Sequence, residues 1–314
     1  MSLIRRDYQG ADDLRLMQGL VQRLWTRRSF LHIGDLAWQR DPRAPDVAQP
    51  TALWFDGETL VGWIWRLAAE AHVLFDPAFA GILPDALNWA VAQSPDASLA
   101  ISALEGDRAL MAALTETGFV RDPAVPFDLQ AFRDLEDLPP MELPPGFSAL
   151  TQAELGNVER KAAGHRAAWS RLADYDPEEP PLNSRVSTES YREMMATWPY
   201  RPELVLAILS PDGRVAASSC TWLDEDHGVG LFEPVGVDPD FRRLGLARAI
   251  CAFGLAALKA AGARLALVKP RGDDAYPVPR YVYKSMGFVV EARTYVFVRR
   301  PSRRSPRPSP TPLF

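Results

Sequence analysis

Histidine and cysteine are scarce in this 314-residue sequence, at four and two residues. His32, His72, His165 and His227 stand far apart, without the short spacings that metal ligands require, so no metal site is expected. Cys220 and Cys251 lie in apolar stretches and cannot build a disulfide framework, which makes a reducing cytoplasm the expected compartment. No long apolar run is present either. The longest, at 245–261, is broken by Arg248 and Lys259 and is no membrane span. The first residues, through Asp7, contain no apolar core of a signal peptide and read as a strand. The net charge of −5 leaves no excess of positive charge for a surface that coats nucleic acid. Lysine is scarce beside arginine, a bias of coding that carries no functional meaning.

What is there is an ordinary globular balance, 47% hydrophobic and 24% charged, in a chain long enough for about two domains. Four prolines and a glycine in 134–146 exclude a regular element and mark a linker. Residues 301–314 are mostly Pro, Ser and Arg and have little to bury, so a disordered tail is expected there. The domains expected are therefore 1–133 and 147–300.

In the C-terminal half, strands at 204–209 and 215–223 flank the turn sequence Pro211-Asp212-Gly213 and form a hairpin. A third strand covers 228–237. Apolar spacing then turns helical over 242–262, through Leu246, Ile250, Phe253, Leu255 and Leu258, up to Gly262. A buried strand at 264–268 follows, then a short helix at 276–286 closed by Gly287, and strands at 288–290 and 295–298 complete the sheet. The N-terminal half repeats this order. Asp56-Gly57 answers Asp212-Gly213, Asp76-Pro77 answers Asp238-Pro239, and Gly118-Phe119 answers Gly287-Phe288, with an offset that grows steadily along the chain. Three matches in order point to an internal duplication.

The segment that carries chemistry is 233–248. A strand ends at Val237, a turn follows at Asp238-Pro239, and a helix opens near Gly245. The first amides of a helix have no intrahelical partner, and its dipole is positive there. Gly245 and Ala247 keep the approach bare, and Arg242, Arg243 and Arg248 place positive charge where the dipole opposes it. These features specify a cradle for a pyrophosphate. A helix that merely begins with a glycine and basic residues is the competing reading.

Arg242-x-x-Gly245-x-Ala247 after a strand resembles the Q/R-x-x-G-x-G/A acyl-CoA motif of the GNAT superfamily of N-acetyltransferases, and Tyr283-x-x-x-Gly287-Phe288 resembles its late Tyr-x-x-x-Gly-Phe element. The resemblance covers about 146–300 well and the N-terminal half only in outline. It implies an α/β (α+β) fold of two GNAT-like domains, each a mixed, mostly antiparallel twisted sheet flanked by helices. It also implies an N-acetyltransferase that uses acetyl-CoA as co-substrate and a small-molecule or peptide amine as acceptor; nucleic-acid and membrane partners are not expected from the net charge and the broken apolar run. Backbone groups of Val235 and Val237 would bind the pantetheine arm, with Gly236 as a bulge that splays the strand. The amides of Arg243, Leu244, Gly245, Leu246 and Ala247 would hold the pyrophosphate. Tyr283 would protonate the leaving thiolate, although a core tyrosine fits the same position. Glu233, read as sharing the side-chain parity of Val235 and Val237, is either the base or a carboxylate paired with an arginine. Asp274 stands near the place of a frequent family asparagine. His165, Trp169, Tyr175, Trp198 and Tyr200 fall in the segment that walls the acceptor in the resembled fold, where core packing also explains aromatic residues. Ser218-Ser219-Cys220 reads as a strand with an inert thiol.

The duplication offsets place Ala80, Leu83 and Asp85 at the positions of Arg242, Gly245 and Ala247, and Ala71 and Leu114 at those of Glu233 and Tyr283. The N-terminal copy is thus read as degenerate, with one acyl-CoA bound per chain. A non-catalytic acyl-CoA-binding or regulatory module is the alternative to an enzyme; an acid at Tyr283 separates the two.

Overall fold

The computed structural model describes residues 3–39, 50–67, 69–93, 96–170, 184 and 186–301. Tyr175 and, apart from Pro301, the tail expected at 301–314 lie outside them. The N-terminal half runs β1 (Ile4–Asp7), α1 (Ala11–Leu24), α2 (Ile33–Gln39), β2 (Thr51–Asp56), β3 (Thr59–Arg66), β4 (Glu70–Phe75), α3 (Leu83–Ala92), β5 (Leu99–Leu104), α4 (Arg108–Glu116), β6 (Val120–Arg121) and β7 (Leu129–Asp134). The C-terminal half runs β8 (Ser148–Thr151), α5 (Gln152–Leu155), α6 (Val158–Ala168), α7 (Thr188–Met195), β9 (Val205–Leu209), β10 (Val215–Asp224), β11 (Val229–Val237), α8 (Leu246–Ala260), β12 (Leu265–Val268), α9 (Val278–Ser285) and β13 (Val289–Arg299).

The strands form one sheet in the order β1-β2-β3-β4-β5-β13-β7-β12-β11-β10-β9-β8, with β6 beside β13. All pairs are antiparallel except β4–β5 and β11–β12. This is the mixed, mostly antiparallel twisted sheet flanked by helices that the resemblance implies. Each half keeps a core on both faces. In the N-terminal half α3 and α4 pack Leu83, Leu87 and Leu110 on one face, and α1 packs Met17, Leu20 and Val21 against Trp63 and Trp65 on the other. In the C-terminal half α8 covers one face with Ile250, Leu255 and Leu258, and α6 and α7 cover the other with Ala162, Tyr191 and Met194.

The duplication is visible in local geometry. Asp76 and Asp238 hold nearly the same backbone angles, and each accepts a bond from the amide two residues on. Gly118 and Gly287 share a φ of 82° and 83°. The amides that follow reach back to Leu114 and Tyr283 respectively, at 2.9 and 3.1 Å. Leu114 and Tyr283 therefore occupy equivalent places, as the offsets require.

The last strands differ from the sequence expectation. The segments 288–290 and 295–298 are not two strands completing the C-terminal sheet. They are parts of one strand, β13, which pairs with β7 over Val289–Arg293 and with β5 over Thr294–Arg299. In exchange, β7 of the N-terminal half pairs with β12 of the C-terminal half over its residues Ala131–Asp134. Side-chain alternation specifies which face of a strand is buried but not which edge it joins, so this exchange cannot be read from the pattern.

Lys161 on α6 is buried, and its ammonium donates to Leu206 O and, at 3.3 Å, to Ser219 O. Removal from water lowers its pKa from 10.5 to about 8, with Cys220 nearby acting the other way. The folded protein thus binds fewer protons than the unfolded chain between about pH 8 and 10.5, and stability relative to a Lys161→Met variant should rise with pH across that window. Urea denaturation of both proteins at pH 7 and pH 10 checks this; a difference that does not change with pH would show that Lys161 is not the group relieved.

Candidate active site

Between β11 and α8 the chain makes a short 3-10 turn, 239–241, and then an open loop. Arg243 has φ 63° and Gly245, the N-cap of α8, has φ 80°. A non-glycine residue in the left-handed region stores strain that is commonly found at ligand-binding turns. A Cβ at Gly245 would meet nothing within 4 Å, so its glycine answers to backbone angle and open space rather than to packing. The amides of Arg243, Leu244, Gly245, Leu246 and Ala247 find no acceptor among the described residues. Successive unpaired amides at a helix N-terminus form an anion-binding concavity. The equivalent place in the N-terminal half is built differently. There the 3-10 turn 77–82 runs directly into α3, the amide of Leu83 bonds Ala80 O, Leu83 is buried, and Asp85 stands in the first turn.

β11 and β12 pair only from Val229 to Leu231 against Leu265 to Leu267. From Phe232 to Val237 the edge of β11 on that side has no strand partner among the described residues. The cradle sits at the end of this gap. The bulge expected at Gly236 lies instead at Glu233-Pro234, where these two residues of β11 oppose the single Cys220 of β10, and Gly236 pairs regularly with Ser218. Gly236 has a different cause: a Cβ there would stand 2.2 Å from the Trp169 ring and 2.8 Å from Ala168 Cβ.

The bulge also reverses parity. Phe232, Val235 and Val237 all pack on the α8 side. Glu233, next to Phe232, therefore faces the opposite side of the sheet and not the side of Val235 and Val237 as the spacing suggested. No arginine pairs with it among the described residues. Its carboxyl is only half-buried by surface, yet protein atoms surround it densely. That desolvation, with Asp35 and Asp128 adding to it and Lys269 opposing, raises its pKa from 4.5 to about 7.

Tyr283 on α9 lies half-buried in the cluster of Phe232, Val235 and Cys251, its ring edge-on to Phe288 at 5.6 Å. Burial first, then Cys251 and Glu233, push its phenol well above 10, so it keeps its proton at neutral pH. Its hydroxyl has no hydrogen bond to a described residue. Asp274 is fully exposed and pairs with Arg280 at 2.9 Å, away from this cluster. Cys220 is buried 3.1 Å from the Tyr191 hydroxyl, and burial raises its pKa, which makes it a poor nucleophile. His165 stacks on Trp169 at 4.4 Å, and the Trp198 ring lies 3.6 Å from the Arg15 guanidinium, so these aromatics are engaged in packing.

The face toward which Glu233 points is covered by α2 of the N-terminal half. Gly34 lets α2 approach until a Cβ would stand 2.3 Å from that of Trp222. His32 Nε2 meets Val229 O at 3.2 Å, and Trp38 lies 5.3 Å from His165. Asp35 is buried and forms a close ion pair with Lys269, the residue after β12, whose side chain is 8% exposed. Asp128, just before β7, titrates near 6 because of burial, with Glu70 and Asp35 adding to it and Lys269 opposing. Burial lowers His32 and His72 to about 4, so both are neutral. Sequence spacing brought none of Asp35, Asp128 and Lys269 to notice. Among the described residues no group of three or more His, Cys, Asp or Glu could hold a metal, and no helix is long and apolar enough to cross a membrane.

The splayed pair of parallel strands thus ends on a row of unpaired amides at a helix N-terminus. Residues 169–288 match the acetyltransferase (GNAT) family model. Solved structures resemble the whole chain. A tandem GNAT protein from the clavulanic acid biosynthesis pathway is 15% identical, with 97% of this chain and 100% of that one covered and a TM-score of 0.65. A GCN5-related N-acetyltransferase from Sphaerobacter thermophilus is 17% identical, with 95% of each chain covered and a TM-score of 0.58. A GNAT-family acetyltransferase from Colwellia psychrerythraea is 12% identical over 94% and 99%, with a TM-score of 0.57. At these identities the likeness is one of fold. No curated protein matches the sequence.

Because Glu233 is raised from 4.5 to about 7, the folded protein holds a proton there that the unfolded chain has lost. The associated stability is complete below about pH 4.5 and is lost as pH rises to about 7. Relative to Glu233→Gln, the protein should therefore lose stability between pH 5 and pH 7.5. Thermal unfolding of both proteins at these two values measures the difference; parallel behaviour would place the Glu233 pKa near its ordinary value.

Proposed function

We propose that the C-terminal half is an N-acetyltransferase that moves an acetyl group from acetyl-CoA to a primary amine. The observation that carries this reading is the row of five unpaired amides at the strained turn 243–247, which closes the gap where β11 leaves β12. Those amides, with Arg242, Arg243 and Arg248 around them, suit a pyrophosphate, and the unpaired edge at Val235, Gly236 and Val237 suits an extended pantetheine arm. The cradle ends on the α8 side, and Glu233 lies across the sheet, so thioester and amine would meet where the strands part.

The chemistry needs a neutral amine and a proton for sulfur. Glu233, titrating near 7, takes a proton from the acceptor ammonium, directly or through water. The nitrogen lone pair forms a bond to the thioester carbonyl carbon, the C–S bond breaks, and the electron pair leaves on sulfur. Tyr283, still protonated at neutral pH, gives its proton to the thiolate. Asp128 beside the same face adds negative charge that favours a cationic acceptor. The N-terminal half has neither a cradle nor these two groups, since Leu114 stands at the place of the tyrosine, and β4, which lacks the bulge, offers His72 there and no carboxylate.

Titration calorimetry should give one acetyl-CoA per chain. Gly245→Glu should abolish it, because a carboxylate enters the cradle. A left-handed non-glycine residue costs about 1–2 kcal/mol in stability, and circular dichroism can confirm that the variant remains folded. Two molecules per chain, or retained affinity in the variant, would contradict the assignment.

Tyr283→Phe removes only a hydroxyl and should lower kcat by about 10²–10⁴-fold with little change in acetyl-CoA affinity. Steady-state thiol release across an amine panel is the measurement. Unchanged kcat would return Tyr283 to a packing role and favour an acyl-CoA-binding module over an enzyme.

A further inference from the structure

β4 and β5 pair only at Glu70–Ala100 and Ala71–Ile101 and then part, as β11 and β12 do. The opening in the N-terminal half is not filled. It is a cavity of ≈ 480 Å³, walled by Leu74, Phe75, Leu83, Leu104 and Leu110, with Ser102 among them. The cleft opens to solvent past Arg28, Glu105 and Asp107, and its volume falls in the range of small-molecule pockets, about 300 to 1,000 Å³. The cavity does not suit a CoA diphosphate, because the start of α3 spends its amide on Ala80 and carries Asp85.

Its wall on the other side is the segment that follows α1, and that wall touches the site of the C-terminal half. Phe30 lines the cavity; its ring lies 4.7 Å from Lys269 Nζ, and its carbonyl accepts from that ammonium at 3.2 Å. Ser29 also lines it and accepts from Gln130 Nε2 at 2.7 Å. Gln130 is fully buried, and its Oε1 finds no partner among the described residues, leaving an acceptor for a donor group. On the same face lie the carboxyls of Glu233 and Asp128, neither hydrogen-bonded to a described residue. Lys269 is paired with Asp35 and Arg271 with Asp273, so the cations that act on Glu233 and Asp128 are shared with other carboxylates.

We propose that this cavity seats the apolar body of the acceptor and that the acceptor's amino group lies toward Glu233 and Asp128. The acceptor is then an amphipathic primary amine with an alkyl or aryl body, and the half without a cradle is the half that binds it. This rests on the acetyl-transfer reading.

The test uses the full chain with acetyl-CoA, and compares tryptamine and octylamine with spermidine and glucosamine. Kcat/KM should favour the apolar amines by about tenfold or more, the scale of a few methylenes in an apolar pocket. Ser102→Phe and, at a second wall, Ala80→Phe should each raise the apolar acceptor's KM by about tenfold while leaving acetyl-CoA affinity unchanged. Turnover that prefers spermidine or glucosamine, or an unchanged acceptor KM in both folded variants, overturns the cavity assignment and leaves the transferase reading standing. If no amine is turned over, the transferase reading fails, and calorimetry with tryptamine decides the cavity separately. Binding to the parent protein that is lost in Ser102→Phe supports it, and no binding to the parent protein overturns it.

Discussion

The exchange of strands between the halves is the constraint on which the rest of the molecule depends. β7 lies between β12 and β13, and β13 continues from β7 to β5, so backbone ladders run without interruption through the middle of the sheet. Buried backbone groups must be paired, and neither half can satisfy these strands alone. The two halves are thereby set at one fixed relation instead of being joined by a flexible linker. That relation carries α2 over β10 and β11, and with it Asp35 and His32, onto the face of the sheet that Glu233 faces.

The resulting centre has two electrical sides. On the α8 side, unpaired amides, a helix dipole and arginines make a positive pole for the proposed acetyl-CoA. On the α2 side, Glu233 and Asp128 make a negative one. Tyr283 stands near their meeting, held neutral by burial. The Asp35–Lys269 pair lies between the halves and is nearly removed from water. Breaking such a pair by removing one partner costs about 3–5 kcal/mol, so the pair locks α2 to the end of β12 while contributing little net charge. The opening between β4 and β5 adds a cavity to this centre where the duplicated fold left a slot without its cradle.

Much of this was legible along the chain. The hairpin turns, α8 and its glycine, the late Tyr-to-Gly-Phe helix end and the repeat of Asp76 in Asp238 are local features, each encoded within a few residues and each found where spacing puts it. Glu233 was legible as a residue but not as a direction. One extra residue at Glu233-Pro234 turned its side chain to the other face, and period-two counting carries no signal for a bulge without a partner strand to count against. Gly236 was legible as a glycine, but its cause is Trp169, a residue sixty-seven positions earlier in the chain.

The sequence by itself determined most of the element order, the internal duplication and the turn with Gly245 that opens α8, because each depends on contacts within a turn or a short run of helix or strand. Tertiary structure alone decided that β7 and β13 change places, that Asp35 on a seven-residue helix meets Lys269 more than two hundred residues away, and that a cavity remains between β4 and β5. Edge pairing, charge matching and void volume are properties of surfaces that meet only once the chain has folded, and no local pattern of residues encodes which surfaces those are.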